Sequence, residues 1–311
     1  MISVIVVNYN GMRFLRGCLT SLAKQTAMDF EVIVVDNGSD DGSESEVQRY
    51  YPHARLVRLK DNRGYAAALN RGIVESGGDF ILALNNDTEP ESHFIEELLS
   101  SSDDKPDIGM WATKMILPDG RINSTGICIS RSGAAWDRGM FQDDTGQFDE
   151  PGEVFGPCGG AALYRKKMLE DVGLFDEDFF LYMEDVDIAL RGRLAGWKCR
   201  YVPKALVIHQ QGGTAGYGSD LAVYYGNRNI MWYVAKDFPS GLIMKYLPWI
   251  VGRNLAVLLY YGTRGQGMVA LRAKADGIAG LGRMMRKRRN IIRKISNREL
   301  AKCIGKWDMG R

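Results

Sequence analysis

A mostly parallel α/β sheet is the fold this 311-residue chain predicts, on three observations. Short β-branched runs alternate with stretches of helical spacing through the first hundred residues, most of those runs are apolar almost throughout, and each ends in polar residues. Ile2–Asn8, Glu31–Asp36, Arg55–Leu59 and Asp79–Asn85 read as strands. Helical spacing marks 12–26, 42–51 and 65–76, with Ser39 to Ser43 offering capping residues to the middle helix. Right-handed crossovers follow for parallel strands. No basic segment precedes the first apolar run and no small-residue cleavage site follows it, so it reads as a buried strand and not a signal sequence.

Residues 103–150 are less regular, rich in Gly and Asp, and read as further strands with a loop. The glycine-rich Gly156–Leu163 leads to a helix near 166–172, and a second helix is expected over 184–195. Short strands at 198–202 and 205–209 flank Pro203. The expected division is a catalytic unit over 1–240, with a nucleotide-binding half at about 1–102 and an acceptor half at about 103–240, and a basic helical tail over 241–311.

The formal charge of +2 joins two unlike parts. Residues 241–311 carry 16 Lys and Arg against Asp276, Glu299 and Asp308, a net +13, which leaves the first 240 residues at −11. Such a tail suits an anionic surface. Its apolar start, 241–261, is interrupted by Lys245, Pro248, Arg253 and Asn254, so an interfacial helix pair on an anionic membrane is expected in place of a bilayer span. The plain alternative is a helical hairpin packed on the body. Nucleic acid is disfavoured as a partner, because the acidic body repels it. Five scattered cysteines with no C-x-x-C pair exclude a disulfide scaffold or structural zinc and fit a reducing, cytoplasmic compartment.

Ligands of open α/β sheets gather beyond the carboxyl ends of the strands. Asn8 to Asn10, Asp36 to Ser39, Asp61 to Gly64 and Asn85 to Asp87 are therefore expected to line one crevice. Asp36 either accepts from a ribose or base or opens an Asx turn with Asn37 to Ser39. Asp87 either holds Mg²⁺ or Mn²⁺, hard cations that leave further positions to water and phosphate oxygens, or is a turn residue before Pro90. Glu184 and Asp185 start a helix after the aromatic run Phe179 to Tyr182. The helix dipole keeps a carboxylate such as Asp185 ionised, as a general base requires, and Asp187 reads as a dipole complement alone. His209, one of three histidines, is either structural or a second metal ligand, with Gly212 and Gly213 allowing close approach. No phosphate-cradling G-x-x-x-x-G-K-[ST], dinucleotide G-x-G-x-x-G after the first strand, or nucleophile-elbow G-x-S-x-G is present.

Six motifs then stand in order: Val4–Gly11, Glu31–Ser39, Asn62–Gly72, Leu82–Thr88, Gly159–Leu163 and Gly173–Arg191. Together they resemble the family 2 glycosyltransferases, in their rhamnosyltransferase-like branch, over about residues 1–215. The resemblance implies a GT-A fold with a C-terminal helical extension. It also implies inverting transfer from a nucleotide-diphosphate sugar, dTDP-rhamnose among the donors, to a saccharide or lipid-linked acceptor of a surface polysaccharide. Peripheral attachment to the inner face of the membrane and a homo-oligomer both accord with that. By the same resemblance Asn8, Asn10, Asp36 and Asn86 bind the nucleotide, and Asn62, Gly64 and Asn70 run past the donor. Asp87 matches the last position of the metal-binding D-x-D motif, whose first aspartate is Asn85 here, and His209 completes the metal shell. Asp185 matches the catalytic base, with Glu184 before it. The missing charge at Asn85 keeps a second reading open, a nucleotide-sugar-binding or scaffold protein with weak or no turnover.

Overall fold

The computed structural model describes residues 1–102, 105–210, 216 and 218–305. Strand β1 (Ile2–Asn8) is apolar throughout because both its faces are covered, and all seven residues are buried. Ile5 and Val7 turn to one core and Val4 and Val6 to the other, following the two-residue period of a strand. Helix α1 (Met12–Ala23) buries Leu15, Cys18, Leu19 and Leu22, one stripe at helical spacing. The unit repeats through β2 (Phe30–Asp36), α2 (Ser43–Tyr50), β3 (Arg55–Arg58), α3 (Tyr65–Glu75) and β4 (Phe80–Asn85). The expected side-chain cap on α2 is not formed: Gly42 takes the N-cap in a left-handed conformation, and Asp41 instead accepts from the backbone of Met12 and Ser43.

The second half adds β5 (Thr88–Pro90), α4 (Phe94–Ser102), β6 (Ile108–Ile116), β7 (Ile122–Ser124), β8 (Ile127–Ile129), β9 (Ala135–Asp137), β10 (Gly152–Val154), β11 (Ala161–Arg165), α5 (Lys166–Val172), α6 (Glu184–Leu194) and β12 (Lys198–His209). The main sheet runs β3-β2-β1-β4-β11-β6-β12-β10, with β5 on β12, β7 on β6, and β8 and β9 as a separate ribbon. β1 to β4, β6 and β12 point one way, and β11 enters antiparallel between β4 and β6. That reversal brings Gly159 and Gly160, at the start of β11, to the end of β4, where Asn85 N–H donates to the Gly160 carbonyl. The two strands expected around Pro203 are one. Proline has no N–H to give a ladder, and Pro203 falls where the pairing with β6 shifts register between Val202 and Leu206.

The chain ends in α7 (Asp220–Asp237), α8 (Ser240–Gly262), α9 (Gly267–Ala279), α10 (Leu281–Lys287) and α11 (Asn297–Cys303). The interfacial pair expected over 241–261 is instead one helix running through Pro248, apolar and long enough by length and composition alone to cross a membrane. Only Leu242 and Tyr246 of α8 are buried. α9 and α10 pack on α7. Part of the tail's positive charge is turned inward: Lys287 pairs with Asp176 and Asp178, Arg283 with Asp178, and Arg288 donates to the Ala235 carbonyl. Arg286, Arg289, Arg293 and Lys294 remain exposed.

Candidate active site

Register assembles the crevice. β1 and β2 pair so that Asn8 lies opposite Asp36, and β1 and β4 so that Val7 lies opposite Asn85, which brings the polar strand ends into one row. Asn8 is fully buried and its amide nitrogen donates to Asp36 Oδ2 at 3.1 Å, Ser39 Oγ at 3.2 Å and Ser43 Oγ at 2.8 Å. Its Oδ1 accepts from Asn86 Nδ2 at 2.8 Å. Asn8 thus holds Asp36 and Asn86 in place and offers no open face of its own. The Asx turn at Asp36 is formed, with Ser39 N–H donating to Oδ1 at 2.9 Å, and each carboxylate oxygen keeps a second lone pair. Asn10, at a positive φ of 49°, is exposed and ties its loop to Ser39 and Asp40. Asn62 Oδ1 accepts from Asn37 and from Gly64 N–H, closing the next loop.

Gly64 has φ 84°, and a Cβ there would lie 2.6 Å from the Phe180 carbonyl oxygen. The close approach lets Tyr65 N–H donate to that carbonyl at 2.6 Å. Asn70 is placed otherwise than expected. Its amide accepts from Phe175 N–H and donates to the Phe175 carbonyl and Glu177, so it latches α3 to the 175–177 segment and has no free group for a donor.

The opposite wall starts from a strained run. Phe180, Tyr182 and Met183 all have φ between 64° and 68°, a region that side-chain-bearing residues avoid. Asn229 of α7 holds the run by donating to the carbonyls of Phe179, Leu181 and Tyr182 at 2.8–2.9 Å, and Arg228 holds those of Asp178 and Phe179 at 3.0 Å. The run delivers Glu184 and Asp185 at the start of α6. Asp185 is half-buried, its Oδ2 accepting from Gly159 N–H at 2.9 Å and its Oδ1 from Val186 N–H at 2.8 Å. Burial pushes its carboxyl up to about 6, the Gly159 N–H opposes this, and Asp137 adds to it. Glu184 is 6% exposed with Oε2 unpartnered, and burial, then the Asp185 charge, push it up to about 8. At neutral pH the two carboxyls therefore hold one proton between them.

Asp87 and His209 meet through the β5–β12 ladder, in which Thr88 lies opposite His209. Asp87 Oδ1 is 3.2 Å from His209 Nε2, and His209 Nδ1 is 2.8 Å from Asn123 Oδ1. An imidazole donating Nδ1–H to Asn123 turns its Nε2 lone pair toward a carboxylate, an arrangement a cation between them satisfies. A carboxylate and an imidazole fit Mn²⁺ or Mg²⁺, and among the described residues no cluster of three protein ligands forms. Gly212 and Gly213, expected beside His209, lie outside the described residues.

The two walls face each other. The Tyr65 phenol, which donates to the Gly159 carbonyl at 3.0 Å, is pushed up first by burial and then by Glu184, Asp185 and, more weakly, Asp87. Asp137 joins them unforeseen from β9: burial pushes its carboxyl up, and Ser124, Cys158 and His209 beside it oppose this. Nothing in an isolated A-W-D run marks it. Asp187 corrects the dipole reading. It is fully buried and bound to Arg191 at 2.8 Å and to Lys236, which hold its carboxyl well below the usual range against the effect of burial.

The glycosyl transferase family 2 model matches residues 3–173. The chain belongs to this family. An N-acetylglucosaminyl-diphospho-decaprenol L-rhamnosyltransferase of Mycobacterium tuberculosis is 29% identical over 305 residues, covering 90% of this chain and 98% of that one. Two solved structures share the fold. A mannosyltransferase of Pyrobaculum calidifontis, determined with GDP-Man and Mn²⁺, superposes with a TM-score of 0.57 at 18% identity over 97% of this chain and 86% of its own. TarS of S. aureus gives 0.58 at 21% identity over 81% of this chain, which spans only 43% of TarS. The protein is a glycosyltransferase of the GT-A fold, similar to rhamnosyltransferases.

Proposed function

We propose that this glycosyltransferase works with inversion, moving a sugar from a nucleotide-diphosphate donor to a hydroxyl of a lipid-linked saccharide, with dTDP-rhamnose the first donor to test. The observation that carries the reading is the Asp185 carboxylate, fixed by two backbone N–H groups across the crevice from Asp87 and His209. Asp185 takes the proton of the acceptor hydroxyl as its oxygen attacks the anomeric carbon. The bond from that carbon to the diphosphate breaks on the opposite face, its electron pair leaving with the nucleoside diphosphate, so one displacement inverts the centre. Asp87 and His209 would hold a divalent cation, which supplies neutralisation of the diphosphate charge. Glu184 stays protonated beside Asp185 and leaves the pair with one negative charge. Asp36 keeps lone pairs for a ribose hydroxyl, with Asn8 as its support.

The acceptor class rests on the Mycobacterium relative, whose name specifies a diphospho-decaprenol substrate. The exposed apolar face of α8 and the outward cations of the tail support attachment to an anionic membrane surface. Release of nucleoside diphosphate from a panel of nucleotide sugars, with and without Mn²⁺, tests the reading. Donor-specific release is expected; none from any sugar nucleotide, even with lipid-linked saccharide present, overturns it.

A further inference from the structure

We infer that the C-terminal helices form a site for a lipid diphosphate, with its hydrocarbon chain in the cleft between α7, α8 and α10 and its anionic group on Arg253 and Lys274. The inference rests on the lipid-linked acceptor proposed above and gives that acceptor a place to bind.

The cleft has a volume of about 440 Å³ and is walled by Ile230 and Val234 of α7, Ile243 and Ile250 of α8, and Leu281 and Met285 of α10. That volume lies within the ordinary range of small-molecule sites, and a cavity with aliphatic walls stays dry and takes apolar ligands. The outer face of α8 continues the apolar surface, with Met244 78% and Leu259 74% exposed.

Beyond the cleft lie two cations with no counter-charge. Arg253 has Nε and Nη1 shut off from solvent and without a hydrogen-bond partner. Lys274 is 6% exposed and donates only to the carbonyl and amide oxygens of Asn227, both neutral, at 3.2 and 3.3 Å. Burial and the nearby Arg253 push the Lys274 ammonium down to about 7. Among the described residues neither cation has an ion-pair partner. Arg253 is half-buried with two guanidinium nitrogens idle, and an incoming anion would use those donors and hold the Lys274 side chain in its charged form.

The two parts are continuous. Asn254, next to Arg253 in the chain, lines the cleft. Met231, one turn along α7 from Asn227, also lines it and packs against Gly277, one turn along α9 from Lys274. α7 then leads to the catalytic wall. Its Asn229 clamps the run before Glu184, and its Tyr233, bonded to the Gly133 carbonyl, lies within electrostatic reach of both Arg253 and Asp185.

Calorimetric titration of the full chain in EDTA, with farnesyl diphosphate, inorganic pyrophosphate and farnesol as probes, tests the site. Farnesyl diphosphate is expected to bind about tenfold or more tightly than either half, and Arg253→Met and Lys274→Met each to weaken it about tenfold, as loss of a charged hydrogen bond does. Equal affinity for pyrophosphate and farnesyl diphosphate overturns the chain site, and equal affinity for farnesol and farnesyl diphosphate overturns the anion site. Both comparisons use the unmodified protein, so a variant that misfolds leaves the test intact. Nucleoside diphosphate release with lipid-linked saccharide present reports separately on the transferase reading: a chain that releases none yet binds farnesyl diphosphate through Arg253 keeps the site and loses its role in transfer.

Discussion

Asp185 is set between opposing influences. Burial raises its proton affinity, while the N–H groups of Gly159 and Val186 favour its charged form. Removing a general base typically lowers turnover by about 10² to 10⁴. Asp185→Asn is therefore expected to reduce kcat by that much and to leave nucleoside diphosphate affinity within about twofold, measured by steady-state release and by titration. The acid limb of kcat/KM should bend near pH 6, where Asp185 gains its proton. Glu184 carries a stability consequence. Its folded-state value, near 8, lies above that of an unfolded glutamate, so the folded chain holds a proton the unfolded chain has lost between about pH 4.5 and 8. Stability due to this group falls as pH rises through that window. Tm of Glu184→Gln should fall less steeply than wild type from pH 5 to 8, and parallel slopes would contradict the assignment.

Among the elements, the loop before α6 depends on a helix that begins some forty residues later. Asn229 is fully buried, and its truncation leaves the Leu181 and Tyr182 carbonyls short of a donor while three left-handed residues lose their clamp. Asn229→Ala is expected to lower stability by about 3 kcal/mol and to reduce kcat more than nucleotide affinity, read by denaturant unfolding and kinetics. This dependence also marks where the sequence is legible. The β–α repeat of the first hundred residues, the alignment of Asn8 with Asp36, and the positions of Asp87 and Asp185 follow from local periodicity and from motifs at strand and helix ends. Asn229 and Asp137 act through distant backbone and side chains, and no local pattern encodes that. Asn70 lies inside a recognisable motif and still serves packing, since a motif gives position without stating which way an amide turns. Proline misleads at both positions: Pro203 sits at a register shift inside one strand, and Pro248 inside one helix that continues past it.

Across the molecule, Lys287 and Arg283 of the basic tail reach the acidic body through ion pairs, beside a buried lysine of the body's own, Lys236. Lys236 touches Asp176 and Asp187, and Lys287 touches Asp176 and Asp178. Loss of one partner from a buried set costs up to about 3–5 kcal/mol; Lys236→Met leaves Asp187 to Arg191 and Asp176 to Lys287 and should unfold at lower denaturant than wild type. The proposed membrane attachment makes the cations left outside the source of its charge dependence. Flotation with vesicles should recover more protein on anionic than on neutral lipid, and equal recovery would leave the apolar face of α8 as the sole attachment.

The same ion pairs order events during synthesis. The sheet is complete in sequence once β12 has emerged from the ribosome, yet Asp176 and Asp187 then have no lysine beside them and the 180–183 run has no Asn229 to hold it. The crevice wall that carries Glu184 and Asp185 therefore gains its clamp only after α7, and its last ion pairs only after residue 287, has been made. A nascent chain halted in that interval carries a finished scaffold and an unfinished enzyme.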